Sequence, residues 1–363
     1  MLRWCFSGID IDKIEYELSL MEESTEGKIS DKVFRLIGRS MMTSKNPEIS
    51  LRVYSFNDRQ KWGKRLIRTI RKIEGVEVQL FRDPEDVVDR FGSFVFFHPD
   101  HLNNRERDKE IINILRAKKM VNFIPSIREL RLYDEKIAQT RKFQEWLPGT
   151  WIFYDKFTSE EFLKTTKFPL ISKSNEGAGS SNVRMLNSRE EAISELTNVF
   201  SETGMKRYTK PSMEKRGVKN FQRGYVLWQE FLPCNNYDWR VVIVGGRFAW
   251  VLKRSNREDL PFASGSGKSE PITDLNDEIN EILDHAFEFA TEFSLNFAGI
   301  DLVRDERGHL KILETTTGWG EAAYGSKVFM RSEEGVWIPT VFNGEDQMKV
   351  TSICIINSFV SGI

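Results

Sequence analysis

Two carboxylates near the end of the chain have the spacing expected of a cation site. Asp301 lies in an apolar run at residues 297–303, and Glu314 ends a second apolar run at residues 309–314. The intervening residues 305–308, Asp-Glu-Arg-Gly, have the composition of a turn. We therefore predict a β-hairpin with a four-residue loop, in which the two carboxylates belong to neighbouring strands.

In this register Asp301 faces Ile312, and Glu314 is the diagonal neighbour of Asp301 on one sheet face, roughly 7–8 Å away at the backbone. Thr316 projects from the same face, because side chains alternate along a strand. Two carboxylates on an apolar sheet repel each other and lose hydration unless a cation lies between them. Mg²⁺ prefers oxygen ligands, and phosphate oxygens can complete its coordination shell. On these residues alone, a surface hairpin with hydrated carboxylates stays open as the alternative.

A lysine and a glycine-rich loop earlier in the chain are typical of phosphate binding. Lys173 ends a predicted strand, and the loop after it contains Gly177, Ala178, Gly179 and Ser180. Glycines let backbone N–H groups approach a phosphate, hydroxyls add donors and the lysine adds charge. Lys136, in a predicted helix at residues 131–146, offers a second amine. Most glycine-rich loops are plain turns, so this loop is weak evidence by itself.

Further polar residues lie between that loop and the hairpin, on predicted strands and in a second Gly/Ser loop. They are Gln229, Glu230, Phe231, Leu232, Asp238, Arg240, Lys253, Arg254, Ser264, Gly265, Ser266 and Gly267. Phosphoryl transfer depends on positioning and charge neutralisation more than on a protein nucleophile. Cations at these positions, together with a metal, would meet that need.

Gly267-Lys268-Ser269 is similar to the end of a Walker phosphate loop, but its surroundings argue against one. The glycine required five positions before Gly267 is replaced by Phe262. No predicted buried strand precedes the segment, and Pro271 hinders the helix that must follow it. We therefore reject a P-loop nucleotide hydrolase.

The composition is that of a globular chain without an electrostatic bias. The 363 residues are 40% hydrophobic and 29% charged, and 53 Lys and Arg against 54 Asp and Glu give a net charge of −1. This balance attracts neither nucleic acid nor an anionic membrane, so neither is expected as a partner. Three scattered cysteines and four histidines disfavour a disulfide framework and a zinc site. Without a membrane-length apolar run or a signal-peptide layout, we expect a cytoplasmic protein.

The order of predicted elements divides the chain. Residues 1–50 are expected to form a helical extension, and residues 51–130 alternate strands and helices as a small parallel α/β domain. The polar residues described above all lie in residues 131–345. In that part of the chain a helix is predicted at residues 277–293, with Ile279, Ile282, Leu283, Ala286 and Ala290 facing inward. Residues 346–363 are apolar and are expected to dock on the body of the protein as a strand or a helix.

The order of these polar residues resembles that of the ATP-grasp ligases, in particular the branch of glutathione synthetase and the ribosomal-protein glutamate ligases. The resemblance covers roughly residues 133–320, and the order and spacing of the motifs carry it. It implies a mixed α/β and α+β fold, in which the small parallel domain precedes a two-lobed ATP-grasp domain at residues 131–345. One lobe, at about residues 150–230, would be the lid.

The resemblance also implies a role for each residue. Lys136 and Lys173 would hold the α- and β-phosphates of ATP, and the loop from Gly177 to Ser180 would close over them. The backbone around Glu230 to Leu232, with Gln229 before it, would line the adenine. Asp238 would accept the ribose hydroxyls.

For the reacting groups, the resemblance assigns Arg240 and Arg254 to the γ-phosphate and an acyl phosphate, with Lys253 grouped beside them. Asp301, Glu314 and Thr316 would hold one or two Mg²⁺ ions, and residues 264–267 would contact the acceptor substrate. The implied reaction is ATP-dependent ligation of a carboxylate to an amine of a small molecule or peptide. A homo-oligomer is compatible with this interpretation.

Two departures from the family pattern keep other functions open. Thr316 stands where an asparagine is usual, and Phe262 stands where an arginine is common. A non-catalytic nucleotide-binding module is therefore the main alternative. An enzyme that stops after phosphoryl transfer is a third hypothesis.

Overall fold

A computed structural model describes the chain at residues 51–55, 61–73, 76–79, 83–87, 93–96, 105–118, 121–133, 135–177, 182–207, 221–233, 235–258, 263, 268–317 and 325–361. The predicted helical extension at residues 1–50 lies outside these residues. So do Ala178, Gly179 and Ser180 of the first glycine loop, and Ser264, Gly265, Ser266 and Gly267 of the second.

The strands, in chain order, are β1 (Leu51–Ser55), β2 (Val76–Gln79), β3 (Ser93–Phe96), β4 (Val121–Ile124), β5 (Thr150–Phe153), β6 (Leu170–Lys173), β7 (Val183–Leu186), β8 (Met205–Lys206), β9 (Phe221–Gln222), β10 (Val226–Glu230), β11 (Tyr237–Val244), β12 (Phe248–Ser255), β13 (Ser269–Pro271), β14 (Phe297–Arg304), β15 (Leu310–Thr316), β16 (Lys327–Arg331) and β17 (Trp337–Asn343). The helices are α1 (Lys61–Ile70), α2 (Arg105–Ala117), α3 (Ile127–Leu132), α4 (Lys136–Lys142), α5 (Lys156–Phe162), α6 (Arg189–Val199), α7 (Asp277–Phe293) and α8 (Gln347–Ser361). Within the described ranges, no helix combines the length and the apolar character needed to cross a membrane.

The first four strands form a parallel sheet in the order β2-β1-β3-β4. Strand–helix alternation in the sequence predicted this parallel pairing. Leu66 and Ile70 on α1 are fully buried and belong to the same core as residues of α8. The apolar segment at the end of the chain thus docks on the body as a helix.

The small antiparallel sheet, in the order β5-β10-β6-β7, forms the middle of the chain. Helices α5 and α6 pack on it, and Leu163, Leu196 and the fully buried Trp228 share their core. This sheet matters for the site because β6 ends at Lys173 and β10 ends at Glu230.

The large sheet has the order β15-β14-β11-β12-β16-β17, with β13 paired to β12. Its strands are antiparallel, and the side chains of β11 alternate between two hydrophobic cores, so both faces of the sheet are buried. Val241 and Ile243 belong to one core, whereas Val242 and Val244 belong to the other. The sheet is therefore packed between α7 on one side and α8 on the other.

Helix α7 confirms the sequence prediction of a helix at residues 277–293. The positions predicted to face inward are at most 4% exposed and are Ile279, Ile282, Leu283, Ala286 and Ala290. Asn276 caps the helix, because its Oδ1 accepts a hydrogen bond from the Ile279 backbone N–H at 2.9 Å. The buried face of α7 supports the central strands of the large sheet.

The helix predicted at residues 131–146 needs correction, because two short helices occupy this region. Helix α3 ends at Leu132, and the next residue, Tyr133, is extended. Helix α4 then begins at Lys136, where groups of another segment take up its first N–H groups. The Lys136 N–H donates to the Asn175 carbonyl at 3.0 Å, and the Ile137 N–H donates to Asn175 Oδ1 at 2.9 Å. A long-range contact therefore fixes the start of α4, and local sequence patterns do not record it.

The turn between β11 and β12 is a close contact between the large sheet and α8. Gly245 has φ +63°, and a Cβ atom there would lie 2.7 Å from Cys354 Sγ and 2.8 Å from Cys354 Cβ. Cys354 is buried in α8. Glycine is thus required by the backbone angle and by the space available.

Replacing Gly245 by alanine should lower the stability more than the backbone angle alone explains. A non-glycine residue in the left-handed conformation lowers the free energy of unfolding by about 1–2 kcal/mol, and overpacking lowers it by about 1–3 kcal/mol more. Gly308→Ala is the matched control, because Gly308 has φ +84° and a Cβ atom there would meet nothing within 4 Å. Urea unfolding should give a clearly lower midpoint for Gly245→Ala, and equal midpoints would contradict this packing.

Candidate functional site

Most of the sequence-predicted site residues that the structure describes line one cleft between the small sheet and the large sheet. The predicted residues that line it are Lys136, Lys173, Gly177, Gln229, Glu230, Phe231, Leu232, Asp238, Asp301 and Glu314. Helix α4 brings in Lys136, and strands of both sheets bring in most of the others. Residues separated by more than 170 positions thus meet at one place.

The hairpin of β14 and β15 carries the two carboxylates, but its register differs from the predicted one. Arg304 pairs with Leu310 and Leu302 with Ile312, so the loop has five residues instead of four. Asp305 stabilises this loop, because its Oδ1 accepts from the backbone N–H groups of Arg307 at 2.9 Å and His309 at 2.8 Å.

A bulge at Leu313 then shifts the register once more. Beyond it Asp301 pairs directly with Glu314, and Gly299 pairs with Thr316. The two carboxylates are therefore directly opposite each other and closer than the predicted diagonal. A bulge re-aims the side chains that follow it, which places Glu314 on the cleft face.

Asp301 is the centre of a buried ionic network. It is 3% exposed and accepts two hydrogen bonds from Arg240, Nε to Oδ1 and Nη2 to Oδ2, each at 2.7 Å. Arg254 Nη2 lies 2.8 Å from Asp301 Oδ2. Arg254 also binds Asp238 through two bonds of 2.6 Å. Antiparallel pairing explains the network, because Arg240 is directly opposite Asp301 and Asp238 is directly opposite Arg254.

The two acids of this network have different pKa values. Burial alone would raise the pKa of Asp301, but Arg240 and Arg254 together lower it to about 2. Burial is the largest influence on Asp238 and, with the nearby Asp301, raises the pKa of Asp238 to about 6 in spite of Arg254. Burial opposes the charge of Arg254, but the two acids raise its pKa above the ordinary value.

The two lysines approach Glu314, Lys136 from the start of α4 and Lys173 from the end of β6. Lys136 Nζ donates to the Gly177 carbonyl at 2.7 Å and is 3.5 Å from Glu314 Oε2. Lys173 is 8% exposed, and burial lowers its pKa to about 8. Lys136 adds to this lowering, while Glu314 and Asp301 oppose it. These amines form a cationic region directly beside the carboxylate pair.

Lys253 does not join the arginines, which corrects its grouping with Arg240 and Arg254. It is directly opposite Trp239, and its Nζ lies 4.1 Å from the ring centre of Tyr237 and 5.6 Å from that of Trp239. Neighbouring residues of a strand point to opposite faces, so Lys253 and Arg254 cannot both face the network. Lys253 makes a cation–π contact on the other face.

The carboxylate pair has the donor set that Mg²⁺ prefers. Asp301 Oδ2 accepts from both arginines, whereas Oδ1 accepts from Arg240, so Oδ1 retains acceptor capacity for a cation. Thr316 lies two positions past Glu314 and shares its face of β15. In the described ranges, no group of three or more Asp, Glu, His or Cys side chains converges. One or two carboxylates with phosphate oxygens is the usual protein environment of Mg²⁺.

Strand β10 ends where the cleft begins. Glu230 is tied to the neighbouring segment, because its N–H donates to the Gly149 carbonyl at 2.7 Å and its Oε2 accepts from the Gly149 N–H at 3.3 Å. Gln229 Nε2 donates to Thr150 Oγ1 at 2.9 Å. Phe231 and Leu232 follow the strand and line the cleft. Their backbone groups lie beyond the β10 ladder, where they can face a ligand.

The cleft also has apolar walls that sequence analysis missed. Ile171 and Val183 belong to the small sheet, and Val303 and Leu313 belong to the hairpin of the large sheet. Ile171 was detectable, because it lies two residues before Lys173 and shares its strand face. Leu313 was not, because only the bulge brings it to the face of Glu314. Apolar walls on two sides suit a flat aromatic group.

The sequence matches no protein-family model. A glutathione synthetase of Buchnera aphidicola subsp. Baizongia pistaciae is 26% identical over 196 residues, which are 52% of this chain and 53% of that protein. The chain thus spans about half the length of this curated relative.

The fold is also that of a solved structure. D-cycloserine synthetase DcsG superposes with a TM-score of 0.53 at 12% identity, covering 85% of this chain and 99% of that chain. A RimK domain ATP-grasp protein from Sphaerobacter thermophilus covers the same shares at 13% identity, with a TM-score of 0.49. The mixed α/β fold of the ATP-grasp type that the order of the motifs implies is thus confirmed.

Proposed function

We propose that the chain is an ATP- and Mg²⁺-dependent ligase that joins a carboxylate to an amine. The observation that carries this proposal is the direct pairing of Asp301 with Glu314 in a cleft that also holds Lys136 and Lys173. Two acids for a metal and two amines for phosphates are groups that phosphoryl transfer needs. Two of the similar proteins named above, glutathione synthetase and D-cycloserine synthetase, are synthetases by name, which supports ligation over simple hydrolysis.

ATP would lie across the cleft with its base between the apolar walls. Ile171 and Leu313 would contact the two faces of adenine, and the backbone of Phe231 and Leu232 would bind its polar edge. Asp238 would accept ribose hydroxyls, since Arg254 uses only part of its acceptor capacity. Binding of a base by apolar walls and a few polar groups is typical of nucleotide pockets.

The triphosphate would extend from there toward the carboxylate pair. Lys136 and Lys173 would hold its phosphates, and the arginine network would face the reacting end. Mg²⁺, held by Asp301 and Glu314 with Thr316 beside them, would neutralise charge that develops on the phosphate oxygens. Because Arg240 and Arg254 are held in place by acids, they would keep a fixed orientation toward that charge.

The proposed reaction has two steps. A carboxylate oxygen of the substrate attacks the γ-phosphorus, the bond to the β,γ-bridging oxygen breaks, and ADP leaves with an acyl phosphate formed. An amine then attacks the acyl carbon, phosphate leaves, and the amine loses a proton to give an amide. The buried position of the network, with Asp301 3% exposed, would limit access of water to the acyl phosphate.

Replacing Glu314 by glutamine should reduce Mg²⁺-dependent ADP release on the order of 100-fold or more, because the metal supplies several kcal/mol of charge stabilisation. The measurement is ADP release by the full chain with ATP, Mg²⁺ and pools of amino acids and peptides. Glu306→Gln is the matched control, since Glu306 is an exposed carboxylate in the loop of the same hairpin.

Three results separate the hypotheses. Unchanged release in Glu314→Gln contradicts the metal assignment. ATP binding by the wild-type chain without turnover for any pool favours the non-catalytic module suggested by Thr316. Phosphate that stays attached to the substrate, instead of appearing free, indicates an enzyme that stops at phosphoryl transfer.

Nucleotide binding should take up protons at pH 8 if Lys173 contacts a phosphate. The pKa of Lys173 is about 8 without a ligand, so roughly half of the amines are neutral at that pH. An adjacent phosphate favours the charged amine and raises its pKa, so binding takes up about half a proton at pH 8 and about a tenth at pH 7. Affinity should therefore weaken as the pH rises above 8.

Calorimetry in HEPES and Tris measures this uptake, because the two buffers differ in ionisation enthalpy. The titration at pH 7 is the internal control, where the heats observed in the two buffers should nearly agree because few protons are taken up. Identical proton uptake at the two pH values would show that Lys173 is not in contact with the phosphates.

A further inference from the structure

We propose that Gln139 is a positioning residue that fixes the metal-binding strand β15 against helix α4. This inference rests on the proposed function, because it concerns the placement of Glu314 and Thr316 as ligands. Gln139 was not among the residues singled out by the sequence. It does not line the cleft, and it acts through the backbone of another residue.

The side-chain amide of Gln139 is buried and binds the backbone of Thr315 from both of its ends. Gln139 is 4% exposed, and its Oε1 accepts from the Thr315 N–H at 2.9 Å. Its Nε2 donates to the Thr315 carbonyl at 2.8 Å and to the Leu132 carbonyl at 2.8 Å. The paired donor and acceptor thus bind β15 as a neighbouring strand would.

The contact matters for the site because of the place of Thr315 in the large sheet. Strand β15 ends the strand order of the large sheet, so β14 pairs with it on one side. Gln139 binds it on the other side, at the residue between Glu314 and Thr316. Because neighbouring side chains alternate between faces, fixing the Thr315 peptide groups sets the direction of both flanking side chains.

Helix α4 connects the contact between Gln139 and Thr315 to Lys136, one of the two lysines proposed to bind phosphate. Lys136, three residues before Gln139, begins the same helix and has its Nζ 3.5 Å from Glu314 Oε2. The first turn of the helix is held by Asn175, in the segment after Lys173. A single short helix therefore sets the distance between the amines and the carboxylates.

An apolar side chain would serve at this position if packing alone were needed. Burying an amide costs free energy unless hydrogen bonds compensate, and the three bonds of Gln139 all go to backbone groups. Replacing a residue that orients a metal ligand typically lowers the metal affinity about 10- to 100-fold. Gln139 has the contacts for such a role.

The test measures how strongly Mg²⁺ improves binding of the non-hydrolysable analogue AMPPNP to the full chain. Calorimetric dissociation constants with excess EDTA and with saturating Mg²⁺ give a ratio for each variant. Gln139→Met, which keeps the volume but loses the three hydrogen bonds, should reduce this ratio about tenfold. Its affinity in EDTA should stay within about threefold of wild type, because the contact between Gln139 and Thr315 acts on the metal ligands.

Thr140→Val is the matched control. Thr140 is 8% exposed on the same helix, and its Oγ1 donates to the Lys136 carbonyl within that helix at 2.8 Å. This variant should keep the Mg²⁺ ratio of wild type. If Gln139→Met does not fold, Gln139→Asn replaces it, since the shorter amide keeps both polar functions and should lose part of the ratio.

The outcomes distinguish this inference from the proposed function. A wild-type chain that binds AMPPNP with no Mg²⁺ dependence contradicts the proposed function. A wild-type chain with that dependence, and a Gln139 variant that retains it in full, overturns the role of Gln139 alone. An equal loss in Thr140→Val would assign the effect to helix packing and also overturn it.

Discussion

Charge compensation around Asp301 is the interaction on which the rest of the site depends. A carboxylate that is 3% exposed is unfavourable by several kcal/mol unless charged donors surround it. Arg240 and Arg254 provide these donors, and Arg254 also balances Asp238. With these charges matched, the amines of Lys136 and Lys173 and the carboxylate of Glu314 remain beside one another in the cleft. Amines can bind a polyanion, and the carboxylates can bind a cation.

Local backbone features give this network its geometry. Antiparallel pairing puts Arg240 opposite Asp301 and Arg254 opposite Asp238, and the bulge at Leu313 puts Glu314 opposite Asp301. On the other side, β6 presents Lys173 at its end. Helix α4 is bound to both parts through Asn175 and Gln139, so the hydrogen bonds of these two residues set the separation of amines and acids.

Sequence patterns predicted the features that depend on periodicity and failed on those that depend on distant contacts. Helix α7 and the shared face of Asp301 and Glu314 were predicted correctly, although the register was wrong. The longer loop and the bulge each shift the strand by one residue, so their effects on the facing of Glu314 cancel. The start of α4 depends on contacts with Asn175, and Gln139 binds Thr315. Both contacts join residues far apart in sequence, which periodicity cannot reveal. Lys253 was misplaced because the motif order was given more weight than strand alternation.

The most direct test of this site is a crystal structure with AMPPNP and Mn²⁺ in place of Mg²⁺, because the anomalous scattering of manganese locates the metal independently of the protein coordinates. We predict an anomalous peak in bonding contact with Asp301 Oδ1, Glu314 and phosphate oxygens, with Lys136 and Lys173 on the same triphosphate. A nucleotide bound outside this cleft, or a metal that contacts neither carboxylate, would contradict the proposed function.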